Sequence, residues 1–279
     1  MSTSSRKAVL ITGCSSGIGL HAAMRLQQAG FLVIATARQP ADVARLQALG
    51  LNALPLDLAD SASIHAAVDA ALELTGGRLY GLFNNGAYGQ PGALEDLPTE
   101  ALRAQFESNF FGWHTLIRRV LPLMLAANEG RIIQNSSVLG LVAMPLRGAY
   151  NASKFAIEGY TDTLRLELRG TGVQVALLEP GPIDSRFRAN ALAAFEQQID
   201  INHSRHAARY QQTLARLGRA TPGNRFTLSP EACVAPLLHA LTARRARPRY
   251  PITTPSKWLY YLRGWLPTRW LDALCSRSV

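Results

Sequence analysis

The stretch AVLITGCSSGIG, residues 8–19, decides the fold of this chain. A short apolar run leads directly into glycines at positions 13, 17 and 19, and a helical pattern begins at Ile18. Glycines here permit a tight turn and a close approach of the backbone, so a pyrophosphate can lie over the helix N-terminus. We predict a phosphate-binding turn rather than a purely structural one, because it lies between the first strand and the first helix. Its candidate contacts are Gly13, Ser15, Ser16, Gly17, Ile18 and Gly19.

Short apolar runs alternate with longer helical patterns through the rest of the chain. The predicted strands are residues 8–12, 31–37, 53–58, 80–84, 131–135, 173–179 and 249–253. The predicted helices are residues 18–29, 41–49, 61–74, 100–127, 149–169 and 230–243. Most strands are continuously apolar, as expected of strands buried on both faces of a parallel sheet. The pattern predicts the α/β class, with a doubly wound parallel sheet (Rossmann fold) in a single domain, residues 1–254.

Two stretches depart from this alternation. Residues 184–228 follow the sixth strand and are long, polar and helix-prone. Ligands of such folds bind beyond the carboxyl ends of the strands, so we predict a helical substrate lid rather than an ordinary surface excursion. Residues 255–279 form a C-terminal tail that holds three of the four tryptophans together with Lys257, Arg263 and Arg269. Such an aromatic and basic segment either lies at a membrane interface or packs on its own domain or a partner subunit.

The composition narrows the function classes. The chain has 279 residues, 48% of them hydrophobic, and a net charge of +10 that is scattered apart from one run of arginines at 244–247. No nucleic-acid-binding motif accompanies that run, so nucleic acid is not a predicted partner. Three cysteines without a short spacing predict neither a disulfide framework nor a metal site and are compatible with a reducing cytoplasm. The polar N-terminus lacks a signal-peptide pattern, and no apolar run is long enough to span a bilayer, so we expect a cytoplasmic protein, with membrane association through the tail as an alternative.

The sequence Tyr150-Asn151-Ala152-Ser153-Lys154 lies in a predicted helix, thirteen residues after Ser137. Residues four apart share one helical face, so the phenol and the ammonium lie side by side. A nearby cation favours the phenolate, and we therefore expect Tyr150 to exchange its proton closer to neutral pH than a free phenol with pKa ~10. The pair alone is weak evidence, because Tyr-x3-Lys pairs on helices are usually solvated side chains.

The ends of three predicted strands indicate the cofactor. An NAD site would place an acid about 20 residues past the glycines, but Ala37 and then Arg38 stand there. A missing carboxylate removes repulsion of a 2′-phosphate and a guanidinium can pair with it, so we predict NADP(H), with NAD(H) less favoured. Asp57 either accepts a bond from the adenine or merely caps the next helix, and the small residues after Asn84 let the nicotinamide ribose approach the backbone. The candidate contacts at these strand ends are Arg38, Asp57, Leu58, Asn85 and Gly86.

Together these motifs resemble the short-chain dehydrogenase/reductase family, over roughly residues 9–253. The resemblance rests on motifs in the family's order and spacing, which are Thr12-Gly13-x3-Gly17-Ile18-Gly19, Asp57, Asn84-Asn85, Asn109, Ser137, Tyr150-x3-Lys154 and Pro180-Gly181. The turn and the segment SKFAIEG, residues 153–159, are similar to the 17β-hydroxysteroid and retinol dehydrogenase branch. The aromatic and basic ending is similar to bacterial members of that branch thought to reduce aldehydes and ketones.

The resemblance implies a catalytic role for four residues. Tyr150 would be the general acid in reduction and the general base in oxidation. Lys154 would lower the pKa of that tyrosine and bind the hydroxyls of the nicotinamide ribose. Ser137 would bind the carbonyl oxygen and steady the charge that develops there. Asn109 would hold a water that relays protons to Lys154.

The resemblance also implies cofactor contacts late in the chain. Pro180-Gly181 would pass over the nicotinamide, and Ile183 with Ser185 would contact its carboxamide. Two positions depart from the family's pattern. The usual Asn-Ala-Gly reads Asn85-Gly86-Ala87, and an alanine at a position of positive φ would be strained unless the backbone shifts by one residue. Ser185 replaces the commoner threonine, but both carry a hydroxyl and we expect little change.

We therefore predict an NADP(H)-dependent oxidoreductase that reduces a hydrophobic aldehyde or ketone, or oxidises the corresponding alcohol. Apolar residues expected in the pocket, such as Leu139, Leu141 and Met144, suit a hydrophobic substrate. Hydroxysteroid or retinol dehydrogenase activity is an alternative, and a non-catalytic nucleotide-binding interaction protein is an alternative of another class. A sugar-nucleotide epimerase fits less well, because such enzymes space their glycines differently. The resemblance also implies a homodimer or homotetramer that pairs through the helices at 100–127 and 149–169.

Overall fold

The computed structural model describes residues 6–218 and 225–276. Part of the predicted lid, residues 219–224, and the end of the predicted tail, residues 277–279, lie outside the described residues. The strands are β1 (Ala8–Ile11), β2 (Leu32–Ala37), β3 (Asn52–Pro55), β4 (Gly81–Asn84), β5 (Gly130–Asn135), β6 (Val173–Glu179) and β7 (Arg249–Pro251).

The strands form one parallel sheet in the order β3-β2-β1-β4-β5-β6-β7. The chain moves from β1 outward to β3 and then crosses back to place β4 on the other side of β1. The two halves of the sheet therefore wind in opposite directions, and the predicted doubly wound parallel sheet is confirmed. The point of reversal, between β1 and β4, is where such sheets leave a crevice at the carboxyl ends of their strands.

The helices are α1 (Gly17–Gln28), α2 (Pro40–Ala48), α3 (Ser61–Thr75), α4 (Thr99–Phe106), α5 (Gly112–Ala126), α6 (Gly148–Glu167), α7 (Phe187–Gln198), α8 (Ala207–Leu217), α9 (Val234–Thr242), α10 (Thr254–Leu262) and α11 (Thr268–Ser276). The helix predicted at 100–127 is α4 and α5 joined without a break by a π-helical turn, Glu107–Phe111. The predicted lid contains α7 and α8, and the predicted tail consists of α10 and α11.

Strand β1 shows why its residues are all apolar. Side chains alternate between the two faces of a strand. Val9 and Ile11 belong to a buried cluster with residues of α1 and α9, whereas Ala8 and Leu10 belong to a second cluster with residues of α3 and α5. Because helices cover both faces, each strand position is removed from water, and the apolar run that opens the sequence is explained.

Several classes of feature are absent from the part of the chain that the structure describes. Within residues 6–218 and 225–276, none of the helices combines the length and the apolar character that crossing a membrane requires. In the same ranges, His, Cys, Asp and Glu side chains do not gather in groups of three that a metal ion would need. Cys14, Cys233 and Cys275 are free and buried.

Candidate active site

A cleft of about 1040 Å³ lies where the strands end. One side of it consists of segments that end or directly follow β1, β4, β5 and β6, together with the start of α6, and we call this side the inner wall. The inner wall comprises lining residues within 13–18, 85–90, 135–154 and 180–185. The opposite side, the outer wall, comprises the lining residues Phe187, Arg188, Asn190, Ala191, Leu217, Phe226, Thr227, Thr254, Pro255, Trp258, Leu259, Leu262, Leu274 and Cys275.

Ser137, Tyr150 and Lys154 meet on the inner wall. Ser137 directly follows the turn after β5, and α6 carries Tyr150 and Lys154 four residues apart on one face. The hydroxyl of Tyr150 lies near the side chain of Ser137, which acts to lower the pKa of the tyrosine, and the Oγ of Ser137 accepts a bond of 3.1 Å from the backbone nitrogen of Leu139. All three catalytic candidates are buried. Two adjacent hydroxyls can both donate to one carbonyl oxygen between them.

The pKa of Tyr150 differs from the sequence prediction. Burial raises it to about 12, although the bond from Ser137 and the charge of Arg147 both act to lower it. The prediction that Tyr150 exchanges its proton closer to neutral pH than a free phenol was wrong for this arrangement, because the cost of burying the phenolate outweighs the effect of Lys154. Its Nζ lies 5.5 Å from the centre of the Tyr150 ring and donates to the carbonyl oxygen of Asn135 at 2.7 Å. Tyr150 therefore keeps its proton at neutral pH, which suits a group that donates a proton.

Lys154 lies in a buried site that the sequence motifs did not include. Its Nζ is 4.5 Å from the centre of the Trp113 ring, on α5. The indole nitrogen of Trp113 in turn donates to the carbonyl oxygen of Gly86 at 2.9 Å. This one side chain therefore contacts both Lys154 and the loop after β4. Burial lowers the pKa of Lys154 to about 7, opposed by the charge of Glu158. The only signal for Trp113 in the sequence was its place in a long apolar helix, which is equally typical of a core residue.

Asn109 lies inside the π-helical turn and is fully buried. Its Oδ1 accepts from the backbone nitrogen of Tyr88 at 3.2 Å, and its Nδ2 donates to the carbonyl oxygen of Tyr88 at 2.9 Å. Nδ2 also lies 3.3 Å from Oγ of Ser153, the neighbour of Lys154. The structure thus places Asn109 behind the inner wall, where it fixes the loop after β4. Its role in a water relay stays a prediction.

The comparison with known families falls on this same region. The family model for short chain dehydrogenase matches residues 7–196, which include the glycine turn, Asn109, Ser137, Tyr150 and Lys154. This chain belongs to the short-chain dehydrogenase family. The resemblance drawn from the motifs is confirmed, and the matched residues run from β1 into α7.

Curated relatives of this short-chain dehydrogenase cover most of its length. It is 42% identical over 271 residues to the uncharacterized oxidoreductase YbbO of Escherichia coli strain K12, which is 96% of this chain and 94% of the relative. It is 35% identical over 257 residues to human 17-beta-hydroxysteroid dehydrogenase type 1, which is 88% of this chain and 77% of the relative. It is 36% identical over 196 residues to bovine retinol dehydrogenase 8, which is 67% of this chain and 62% of the relative. The chain is thus an oxidoreductase of this family.

Two solved structures show the family's cofactors. A short chain dehydrogenase/reductase from Burkholderia phymatum in complex with NAD has a TM-score of 0.78 and 26% identity, covering 95% of this chain and 94% of that one. An actinorhodin polyketide ketoreductase with NADPH has a TM-score of 0.71 and 27% identity, covering 90% of this chain and 96% of that one. The fold therefore binds NAD(P), and the relatives differ in which of the two they hold.

The glycine turn of this dehydrogenase fits a dinucleotide. Gly13 and Gly17 have φ of +69° and +54°, which favour glycine. A Cβ on Gly13 would lie 2.5 Å from the Cα of Gly86, so the loop after β4 lies directly against the turn. Asn85 joins the two loops, because its Nδ2 donates to the carbonyl oxygens of Thr12 at 2.9 Å and Gly13 at 3.2 Å. The turn is thus held in shape by neighbouring backbone, while the lining residues Ser15, Ser16 and Ile18 face the cleft.

The exchanged alanine and glycine after Asn85 cause no strain. Neither Gly86 nor Ala87 has positive φ, so the conflict anticipated from sequence does not arise. Gly86 has a different reason to be glycine, because a Cβ there would lie 2.8 Å from Cδ1 of Leu58 and 3.2 Å from the backbone nitrogen of Gly13. Leu58, which was predicted to contact the cofactor, thus packs against Gly86 in the loop after β4.

The other predicted contacts of the adenosine end lie at the edge of the site. Arg38 directly follows β2 and is exposed. Asp57 follows β3, and its Oδ1 accepts a bond of 3.0 Å from the backbone nitrogen of Ala59. That bond stabilises the turn before α3, but the residue that caps α3 is Asp60, whose Oδ1 accepts from the backbone nitrogen of Ala62 at 2.8 Å, so the capping alternative for Asp57 was wrong. Neither Arg38 nor Asp57 lines the cleft, and their contact with a cofactor stays a prediction.

The segment after β6 lines the cleft beside the glycine turn, since a Cβ on Gly17 would lie 2.7 Å from the Cβ of Ser185. Pro180, Gly181, Ile183 and Ser185 are all lining residues. The carbonyl oxygen of Pro180 accepts a 2.8 Å bond from the backbone nitrogen of Val138, which ties this segment to the catalytic loop. The Oγ of Ser185 accepts from the backbone nitrogen of Phe187 at 3.3 Å and so supports the start of α7. The predicted contact of Ser185 with the carboxamide stays a prediction.

A polar contact that the motifs did not predict joins the glycine turn to the lid. The guanidinium of Arg186, at the start of α7, donates to the carbonyl oxygen of Ser15 at 2.8 Å and to Asp42 at 3.1 Å. Arg45 on α2 donates to the same Ser15 oxygen and also pairs with Asp42. These cations hold the pKa of Asp42 below its usual value, chiefly through the bond from Arg45. The residue that directly precedes α7 in the lid is therefore bound to the glycine turn.

A buried network of charged side chains lies next to the residues that are predicted to be catalytic. Arg249 on β7 pairs with Glu158, with Glu179 at 2.7 Å and with Asp162 at 2.6 Å. Glu158 also accepts a bond from Ser136, the neighbour of Ser137. Burial raises the pKa of Glu179 to about 7, with the nearby Glu158 carboxylate adding to the shift. Charged residues in strands that are otherwise apolar were the available sequence signal for this network.

The outer wall is apolar and contributes directly to the catalytic environment. The ring of Phe187 lies edge-on to the ring of Tyr150, with 5.3 Å between their centres. The lid therefore covers one side of the Tyr150 ring. The tail lines another part of the cleft, where Leu259 and Cys275 form a buried cluster with Val138 and Val142. Of the placements that the sequence left open for the tail, packing on its own domain is therefore present in the structure.

Proposed function

We propose that this protein is an NADP(H)-dependent reductase of hydrophobic aldehydes or ketones, which oxidises the corresponding alcohols in reverse. The observation that carries the proposal is the adjacent placement of Ser137 and Tyr150 in a cleft whose other side is mostly apolar. The pair supplies two donors for one carbonyl oxygen, and the raised pKa keeps a proton on Tyr150 until negative charge develops.

The proposed reaction divides the work between cofactor and protein. A bound nicotinamide supplies the hydride to the carbonyl carbon. Ser137 and Tyr150 hold the carbonyl oxygen, and Tyr150 transfers its proton to that oxygen as the alcohol forms. The resulting tyrosinate is stabilised by the ammonium of Lys154 in its protonated form, because the two side chains share one face of α6. In the reverse direction the same tyrosine accepts the proton of the alcohol.

The preference for NADP(H) is supported by the end of β2. Ala37 is buried where an NAD site would place an acid, and Arg38 after it is exposed to pair with a 2′-phosphate. We expect Arg38→Ala to lower kcat/KM for NADPH about 10- to 100-fold, the value of one or two charge-assisted hydrogen bonds, and to leave kcat/KM for NADH nearly unchanged. Equal losses with both cofactors would remove the assigned role of Arg38.

The hydrophobic substrate class is supported by the outer wall and by the names of relatives. Phe187, Trp258, Leu259 and Leu262 present apolar surface to the cleft. The human and bovine relatives are named for a hydroxysteroid and for retinol, both bulky apolar alcohols. Hydroxysteroid or retinol dehydrogenase activity is therefore the nearest alternative within the same chemistry.

The deciding experiment is a screen of NADPH consumption with steroids, retinoids, fatty aldehydes and aromatic ketones, with NADH as the cofactor control. Turnover of a hydrophobic carbonyl supports the reductase, and the preferred class separates it from the steroid and retinol alternatives. Tight cofactor binding without turnover of any class would favour the non-catalytic alternative, a nucleotide-binding interaction protein. The filled positions at Ser137, Tyr150 and Lys154 argue against that alternative.

The quaternary structure and location are further parts of the proposal. We expect a homodimer or homotetramer that pairs through α4, α5 and α6, because Phe111, Phe155 and Leu166 are exposed apolar side chains on or beside these helices. Three free, buried cysteines suit a cytoplasmic location. Light scattering during size-exclusion chromatography measures the oligomer, and Leu166→Glu would weaken it.

A further inference from the structure

The tail presents two contrasting sides. Leu259 and Cys275 are buried against the inner wall. The aromatic side chains that point away are exposed to an unusual degree, at 64% for Trp258, 66% for Tyr261, 87% for Trp265 and 70% for Trp270. We call these four residues the tail face. Large aromatic side chains are normally removed from water in a folded domain, and an exposed group of them marks a contact surface.

The spacing within α10 aligns this surface. Trp258 and Tyr261 are three residues apart, and Trp265 follows four residues later in the turn after the helix. That spacing places successive side chains on one side of a helical segment. The flank of the same helix is basic. A second cavity of about 570 Å³ beside α10 is lined by Arg247 and Lys257, together with Tyr260 and Tyr261.

The charges around the tail face are of one dominant sign. Lys257, Arg263 and Arg269 are exposed, and Asp272 is the one acidic residue among residues 254–276. Exposed aromatic rings surrounded by cations are complementary to an interface that combines apolar chains with anionic headgroups. A second copy of this chain would bring the same cations against themselves, which disfavours a self-complementary contact at this surface.

The mouth of the active-site cleft adjoins the tail face. Trp258 and Leu274 are exposed and also line the cleft, as does Phe226 at the end of the lid. On this side the cleft is therefore bordered by exposed apolar side chains, whereas exposed polar residues such as Asp184 and Asn190 line it elsewhere. A hydrophobic molecule that leaves a lipid layer at this point would reach the inner wall without crossing water.

We propose that the tail face docks this protein on an anionic phospholipid surface, with the cleft mouth turned toward the lipid. The aromatic side chains enter the headgroup region, while Lys257, Arg263, Arg269 and Arg247 bind anionic headgroups. The docking depends only on the tail, whereas the loading of a hydrophobic carbonyl from the lipid rests on the proposed function. The protein docks on the membrane without spanning it.

Co-sedimentation with vesicles tests the docking without any turnover. We expect full-length protein to bind vesicles of phosphatidylcholine with about 30% phosphatidylglycerol, and to bind pure phosphatidylcholine at least about tenfold more weakly. The double variant Trp265→Ser/Trp270→Ser should bind the anionic vesicles at least about tenfold more weakly than wild type. The matched control, Leu49→Ser/Leu74→Ser, changes two exposed leucines outside the tail and should bind as wild type does.

The outcomes separate this proposal from its alternatives. Absence of wild-type binding to anionic vesicles, or equal binding by the tryptophan double variant, would overturn it. A wild-type oligomer that the double variant dissociates in light scattering would identify the tail face as a subunit interface and also overturn it. Trp265 and Trp270 do not line the cleft, so turnover of a short, water-soluble aldehyde without vesicles should match wild type. Loss of turnover in every variant would instead count against the proposed function and leave the vesicle result standing.

Discussion

The two walls of the cleft are built differently. On the inner wall, each catalytic side chain is buried, and Lys154 is bonded to the carbonyl oxygen of Asn135 as Ser137 is to the backbone nitrogen of Leu139. On the outer wall, apolar side chains of the lid and tail meet the cleft, and several of them, such as Trp258 and Leu274, remain exposed. We infer that the inner wall determines the reaction, whereas the outer wall determines which molecules reach it. Changes to the two walls should therefore alter different kinetic constants.

The largest effect is expected at the inner wall, from Tyr150→Phe. Removal of the proton donor should lower kcat at least about 10³-fold, because general acid catalysis of this kind contributes about 10²–10⁴-fold. NADPH binding, measured by fluorescence titration, should stay within about threefold of wild type. Tyr160→Phe is the matched control, because this tyrosine lies on the same helix with its hydroxyl bonded to His114. Near-normal turnover by Tyr150→Phe would show that the inner wall does not determine the reaction through this residue.

The network behind the inner wall should decide stability. Arg249→Met leaves Glu158 and Glu179 buried without their cation, and we expect the free energy of unfolding to fall by about 3–5 kcal/mol in urea denaturation. The loss should be larger at pH 8 than at pH 5, because both carboxyls have raised pKa values and are costly to bury only when ionised. Arg244→Met, an exposed change in the segment between α9 and β7, is the control. A pH-independent loss would contradict the assigned role of the charges.

Lys154 should make the stability of the inner wall depend on pH. Its pKa is lowered from 10.5 to about 7 by burial, so between these values the unfolded chain binds more protons than the folded one. The free energy of unfolding of the wild-type protein should therefore increase as the pH rises from about 7 toward 10, because less free energy is then needed to keep the buried lysine neutral. We expect Lys154→Met to exceed wild type in stability by a margin that narrows from pH 6.5 to pH 9.5. A constant margin would show that the lysine keeps an ordinary pKa.

The smallest effect is expected at the outer wall, from Trp258→Ala. The loss of one apolar side chain should raise KM for a bulky hydrophobic aldehyde about tenfold, since pocket contacts of this kind contribute about 1–3 kcal/mol. We expect kcat and the KM for a short aldehyde to stay unchanged, because the change removes binding that is equal in ground state and transition state. Trp265→Ala, outside the cleft, is the control. A fall in kcat with both aldehydes would show that the outer wall also takes part in the reaction.

Local sequence patterns predicted most of the sheet but not its exact limits. The predicted strand at 53–58 ends at Pro55, because pairing with β2 ends where Ala37 meets Pro55. The predicted strand at 249–253 ends at Pro251, because Thr253 caps α10. A π-helical turn at 107–111 has no signature in an apolar pattern, so it was predicted as ordinary helix.

The sequence likewise predicted one part of the candidate site and missed another. The spacing of Tyr150 and Lys154 was sufficient to place them on one face, but it contains no information on burial, and burial sets both pKa values. Trp113 and Phe187 reach these residues from elements that are distant in sequence. The tail's amphipathic pattern was evident, whereas its packing on Val138 and Val142 depends on long-range contacts. Motifs therefore identified the chemistry, and tertiary packing determined its environment.

The bond between Arg186 and the carbonyl oxygen of Ser15 bears on the order of binding. It connects the residue that directly precedes α7 to the loop that is predicted to receive the pyrophosphate. A dinucleotide that binds to that loop would therefore also fix the orientation of α7, the first helix of the lid. The two ligands would then bind in sequence, with the cofactor entering first and leaving last. In steady-state kinetics such a sequence appears as product inhibition by the oxidised dinucleotide that is competitive against the reduced one and mixed against the carbonyl.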